Sequence, residues 1–214
     1  MNHLVTPLAF LNGLAGVILL ALLTGLMAII ADWRVIVVGI IGQSIILTVF
    51  ATRFLPPEWA FLRLMIGTLI AIMWFLSARM GGWGQRPVRW LRWRWPSPSA
   101  RGILRLVMVG FIAGLLIFLR IRLPLYGLDP DLVFAGTWLV AMGVLVLALG
   151  NEPLTSGIGL IWWLEALHLY YPALERDAMI EGTIGTAKLL VGLVCAYLMT
   201  VEGLRLQPDR GGNR

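Results

Sequence analysis

The chain alternates between long apolar runs and short polar connections. The runs cover roughly residues 8–31, 35–55, 59–79, 103–120, 131–150, 154–172 and 183–202. Each approaches the ~20 residues that an α-helix needs to cross a bilayer core. Hydrophobicity inside them is continuous rather than strictly alternating, which predicts helices and not the strands of a barrel. A backbone in lipid must satisfy its own polar groups, and a helix does so within one segment. The pattern predicts an all-α integral membrane protein, a bundle of about seven transmembrane helices forming a single domain over 1–214.

The connections set an expected orientation. The stretch "ARMGGWGQRPVRWLRWRWPSPSARGILR" carries Arg79, Arg86, Arg89, Arg92, Arg94, Arg101 and Arg105 and no acid. Basic loops stay cytoplasmic, so the loop at 80–102 and the short tail at 203–214, with Arg205, Arg210 and Arg214, are expected inside. Seven crossings then place the N-terminus outside. The acidic connection with Glu175, Arg176, Asp177 and Glu181 is expected outside too. Arg53, Glu58 and Arg63 near the ends of the second and third runs read as interfacial, and Asp131 reads as a cap of the fifth helix. Trp83, Trp90, Trp93 and Trp95 suit a membrane interface, where an indole is half wet. Arg86, Arg89, Trp90, Arg92, Trp93, Arg94 and Trp95 therefore form the expected contact surface for anionic lipid or a partner subunit.

Composition narrows the class further. Only 13% of residues are charged and the formal net charge is +6. Arginines placed beside apolar runs point to lipid headgroups and topology, not to nucleic acid. The opening "MNHLVTPLAF" has no basic stretch or cleavage site of a signal peptide, so the first run is expected to remain as a helix. Cys195 is the one cysteine, and His3 and His168 are the two histidines. No disulfide, no metal site, no haem and no cofactor is expected from so few ligands, and no phosphate loop or dinucleotide fingerprint is present.

An internal match runs through the apolar segments. "MIGTLIAIM" at 65–73 resembles "TIGTAKLLV" at 183–191, and "GIIGQ" at Gly39 precedes the first much as "GIGLI" at Gly157 precedes the second. Helices one to three then match helices five to seven as a parallel repeat, with the fourth as a spacer. Gly110 and Gly114 make a small-xxx-small pair in the fourth run, and Gly13, Gly16, Gly39 and Gly42 give similar small faces for close helix packing.

The chemistry is expected where polar groups enter these runs. A charge near the bilayer centre costs roughly 2.5–3.5 kcal/mol on insertion scales. Lys188, the sole lysine, lies in the seventh run, and Glu165 lies in the sixth. Counting from each segment's midpoint, Glu165 sits about 3 Å and Lys188 about 6 Å to the outer side. Two opposite charges at one level on consecutive helices predict an ion pair, which holds only if further polar groups complete the hydrogen bonding. His168, three residues after Glu165, shares its face and is the expected third member. Lys188 leans outward along its helix and is also able to snorkel, whereas Glu165 leans toward the apolar middle. Gln43 and Ser44 near the centre of the second run are neutral and link helices by hydrogen bonds. Glu165, Lys188, His168 and Gln43 are the candidate ion-path residues.

"GQSIILTVFAT" at Gly42, "GIGLIWWLEALHL" at Gly157 and "TAKLLVGLVCAYL" at Thr186 carry a family resemblance. The last three helices resemble the small K-type subunit of bacterial complex I and its three-helix relative in multisubunit sodium/proton antiporters. The whole chain resembles, in length and seven-helix layout, membrane component E of hydrogenase-4-type complexes. The resemblance covers about a third of the chain, and it implies a non-redox membrane subunit whose partners are other membrane subunits. In that family an acid in each of the two matching helices belongs to a lateral proton or ion path. Glu165 sits a few residues beyond the first such position, and Lys188 occupies the second, relative to the following Gly192. The resemblance thus implies proton or sodium translocation in the inner (plasma) membrane, without catalysis of the chain's own. The residues alone leave open a self-contained small transporter, a lipid-binding scaffold, or a lipid enzyme using His168 and Glu165.

Overall fold

The computed structural model describes residues 13–53, 55–83, 100–119, 129–174 and 178–205. Among them it holds seven α-helices and no strand: α1 Leu14–Ile30, α2 Trp33–Ala51, α3 Pro57–Met80, α4 Ala100–Leu119, α5 Pro130–Leu149, α6 Pro153–Leu174 and α7 Ala178–Arg205. The helix starts follow from local chemistry. Asp32 caps α2 by accepting from Arg34 N at 2.9 Å. Prolines, which have no N–H to lose, open α3, α5 and α6 at Pro57, Pro130 and Pro153. Asp129, rather than the expected Asp131, caps α5, because its side chain reaches Asp131 N at 3.1 Å. The α1–α2 hairpin turns on Ala31 in the left-handed region, φ 46°.

Among the described residues, four helices are long and apolar enough to cross a membrane: α2, α3, α5 and the Met179–Arg205 part of α7. Shorter apolar stretches form Leu14–Ile30 and Gly102–Phe118. The outside of the bundle is apolar, with Leu22, Val38, Met65, Phe111, Leu193 and Tyr197 all exposed. The inside joins an apolar core, with Leu20, Trp74, Leu139 and Trp162 fully covered, to a minority of polar groups: Thr24, Gln43, Ser44, Arg63, Thr155, Glu165, His168, Glu181 and Lys188. An apolar exterior of this extent is what a lipid solvent permits.

Two boundaries differ from the sequence reading. Helix α7 starts at Ala178, not near 183, and runs for 28 residues. Glu181 is therefore a helical residue in the bundle instead of part of an acidic loop. Residues 203–205, expected in the tail, close α7. Arg86, Arg89, Trp90, Arg92, Trp93, Arg94 and Trp95 lie outside the described residues. Trp83 does not sit at a wet interface: it is buried, and its Nε1 donates to Met199 O at 3.2 Å.

The helices pack in a pattern that mirrors the internal match. Helix α1 packs on α2 and α5, α3 on α2 and α7, α6 on α5, α7 and α2, and α4 on α5 and α1. An offset of 118 residues (183 against 65) carries α1 onto α5, α2 onto α6 and α3 onto α7 without a gap. It aligns Gly25 with Gly143, Gly39 with Gly157, Gly67 with Gly185 and Ala78 with Ala196. Residues at a two-fold axis meet their own counterparts. Trp74 Nε1 donates to Gly192 O at 2.9 Å, and 74 and 192 are counterparts. A Cβ on Gly81 would stand 3.1 Å from the carbonyl of Met199, its counterpart. Two contacts between α3 and α7 thus join counterpart positions of the internal match.

The glycine expectations divide. Gly39 and Gly42 admit α1, since Cβ atoms there would stand 2.7 Å from Met27 Cγ and 3.1 Å from Leu23 Cδ2. Added Cβ atoms at Gly110 and Gly114 would meet nothing within 4 Å. The small pair of α4 therefore faces away from the other described residues.

Candidate functional site

Five ionisable side chains from three helices meet inside the bundle: Arg63 of α3, Glu165 and His168 of α6, and Glu181 and Lys188 of α7. Their relative exposures are 4%, 6%, 2%, 6% and 1%. With His168 neutral, two cations face two carboxylates and the cluster carries no net charge. That balance is the condition on which buried ions are tolerated.

Lys188 Nζ lies 2.9 Å from Glu165 Oε2, and Arg63 Nε lies 3.9 Å from the same oxygen. Lys188 Nζ also bonds His168 Nδ1, and Arg63 Nε donates to that nitrogen at 3.2 Å. On the far side of the ring, His168 Nε2 lies against Glu181 Oε1. That contact is close but not aligned as a hydrogen bond. His168 Nε2, Glu165 Oε2 and both Glu181 oxygens have no aligned hydrogen bond to any described residue.

Helix geometry explains the convergence. Glu165 and His168 are three apart, and Glu181 and Lys188 are seven apart, so each pair lies on one helix face. Arg63 is drawn in by the backbone. Pro172 lacks the N–H that would donate to the carbonyl of His168 four residues earlier. In lipid a freed carbonyl needs another donor. Arg63 Nη2 supplies it by donating to His168 O, so the guanidinium fork holds both the ring and the carbonyl of one residue.

The structure brings together Glu165, His168 and Lys188 of the sequence candidates. Gln43 stands apart: its Oε1 accepts from Trp162 Nε1 at 2.7 Å, linking α2 to α6 one turn before Glu165. Two members escaped the sequence reading. Arg63 was expected at the interface and Glu181 in an outer loop, yet both are buried in the cluster. Two signals point to them in the sequence: Pro172 four residues after His168, and the seven-residue spacing of Glu181 and Lys188.

The repeat gives the cluster a further property. Arg63 and Glu181 are counterparts under the 118-residue offset, with opposite charge. The counterparts of Glu165, His168 and Lys188 are Leu47, Phe50 and Ile70, each 1% exposed. Three of the five ionisable positions therefore have hydrocarbon at the equivalent place, and the other two are each other's counterparts. Comparison with family models, with curated proteins and with solved structures gives no match.

Proposed function

We propose that this protein is a non-redox membrane subunit of a complex I-like or group 4 hydrogenase-like assembly. It contributes to proton or sodium translocation, and partner subunits carry the electron chemistry. It lies in the inner (plasma) membrane with its N-terminus outside and its C-terminus in the cytoplasm. The observation that carries this reading is the uncharged cluster of five ionisable groups inside an apolar bundle. A bundle that needs only stability is served as well by hydrocarbon, as Leu47, Phe50 and Ile70 illustrate at the equivalent positions. Ionisable groups held within a membrane most often mark an ion pathway. The resemblance of the segments around Gly157 and Thr186 to the K-type component of complex I supports the same assignment.

The test is purification of the tagged full-length chain from native membranes in mild detergent, with identification of the co-purifying proteins. Antiporter-like and hydrogenase-like subunits are the expected partners. Vesicles carrying Glu165→Gln or Lys188→Ala are expected to lose ion translocation. Purification always as a lone monomer, or full translocation by both variants, overturns the proposal.

A further inference from the structure

We infer that His168 passes a proton between Lys188 and Glu181, with Arg63 setting its resting tautomer, so that the cluster carries protons and not sodium. The inference rests on the translocation reading above and assigns its ion. Its starting point is that the two ring nitrogens of His168 face partners of opposite kind. Nδ1 faces Lys188 Nζ and Arg63 Nε, and Nε2 faces Glu181 Oε1. An ammonium and a guanidinium N–H only donate, so Nδ1 is held as an acceptor and the ring proton sits on Nε2. The ring then carries its proton on the nitrogen that lies against the Glu181 carboxylate, which must turn into line to receive it, while Nδ1 accepts from an amine.

The transfer balances. A Lys188 N–H bond breaks as a bond from hydrogen to Nδ1 forms, and the Nε2–H bond breaks as an O–H bond forms on Glu181. Lys188 becomes a neutral amine, Glu181 a neutral acid, and His168 stays neutral in its other tautomer. The cluster has no net charge before or after, so no uncompensated charge appears in a low-dielectric interior. Glu181 and Lys188 are seven residues apart on α7, about 10 Å along its axis. The step therefore moves a proton toward the end of the bundle that bears Asp129. Arg63 Nε cannot accept, so it opposes a proton on Nδ1 and favours the resting tautomer with the proton on Nε2.

Sodium fits this arrangement poorly. A hard cation of that kind is held by about six oxygens, and Glu165 Oε2 already faces Lys188 and Arg63. Among the described residues, no three His, Cys, Asp or Glu side chains converge to hold a metal ion. A sodium ion added to the resident cations leaves the cluster with an unbalanced positive charge.

The experiment has two arms. In the first, full-length protein labelled with ¹⁵N-histidine is placed in lipid nanodiscs. The chain has two histidines, so His3→Gln assigns the signals of His168. A neutral ring protonated at Nε2 is expected; a doubly protonated ring, or a proton resting on Nδ1, overturns the inference. The second arm measures proton translocation by vesicles carrying the whole assembly, in sodium-free and sodium-containing buffer. Wild type is expected to work equally well in both, and His168→Gln to fall at least tenfold while the assembly stays intact. A requirement for sodium, or wild-type proton translocation by His168→Gln, sinks the relay. If Glu165→Gln and Lys188→Ala are silent as well, the translocation reading fails too; if they are inactive, the relay alone has failed.

Discussion

Lys188→Met removes one cation from the cluster while keeping a long side chain of similar volume, so it tests charge and not packing. Glu165 then keeps only Arg63. At an effective dielectric of 20, Coulomb attraction is about 6 kcal/mol for the contact at 2.9 Å and about 4 kcal/mol for the one at 3.9 Å. Well over a third of the attraction on Glu165 therefore survives. Breaking a buried pair on one side costs about 3–5 kcal/mol, and the surviving contact places Lys188→Met near the lower end, about 3 kcal/mol. Glu165→Gln leaves two cations against Glu181 alone and is expected to cost a similar amount. The double variant retains Arg63 against Glu181, which is balanced again. Its loss is expected to fall well short of the sum of the singles, with a coupling of at least ~2 kcal/mol. The assay is reversible unfolding of the purified full-length chain in mixed micelles, followed by fluorescence of its 10 tryptophans. Single variants within ~0.5 kcal/mol of wild type, or strictly additive losses, would refute the view that the charges sustain one another.

Other substitutions probe the surroundings of the cluster. Arg63→Lys keeps the charge but loses the fork that reaches both Nδ1 and the carbonyl of His168; unfolding should register a loss of about 2 kcal/mol. Gly192→Ala drives a Cβ to 2.9 Å from Ile70 Cγ1 and should cost about 1–3 kcal/mol, whereas Gly110→Ala enters open space and should be neutral or mildly stabilising in the same measurement. Trp138→Phe removes the 2.7 Å bond from Nε1 to Thr24 Oγ1. Its cost should be about 0.6 kcal/mol and no more than ~1.7 kcal/mol, the range for single interhelical hydrogen bonds in lipid.

The fold was legible because apolar length is a strong signal. Every expected run overlaps one of the seven helices, and Pro57, Pro130 and Pro153 mark three starts. Depth was harder to read than existence. Glu181 looked like a loop residue because polar residues at 175–177 precede it, and only its spacing from Lys188 hints that the helix begins earlier. Arg63 looked interfacial because it lies near a helix start, where an arginine usually reaches headgroups. What draws it inward is a carbonyl freed by Pro172 on another helix, a tertiary effect that a single segment cannot display. The repeat was readable where "IGT" recurs and at the glycines Gly39 and Gly157; most other matching positions are interchangeable hydrophobes. Gly110 and Gly114 show the converse, a packing motif that meets no other described residue.

The most direct test separates the cluster's structural role from its ionic one. Glu165→Gln/Lys188→Met, the variant that keeps the cluster's charge balanced, is to be measured for ion translocation in membrane vesicles carrying the assembled complex. The account predicts assembly at wild-type abundance with translocation below about a tenth of normal, a loss of at least ~1.4 kcal/mol in barrier terms. Translocation at the wild-type rate in that assembled variant would contradict it, leaving the five side chains as a structural tie alone.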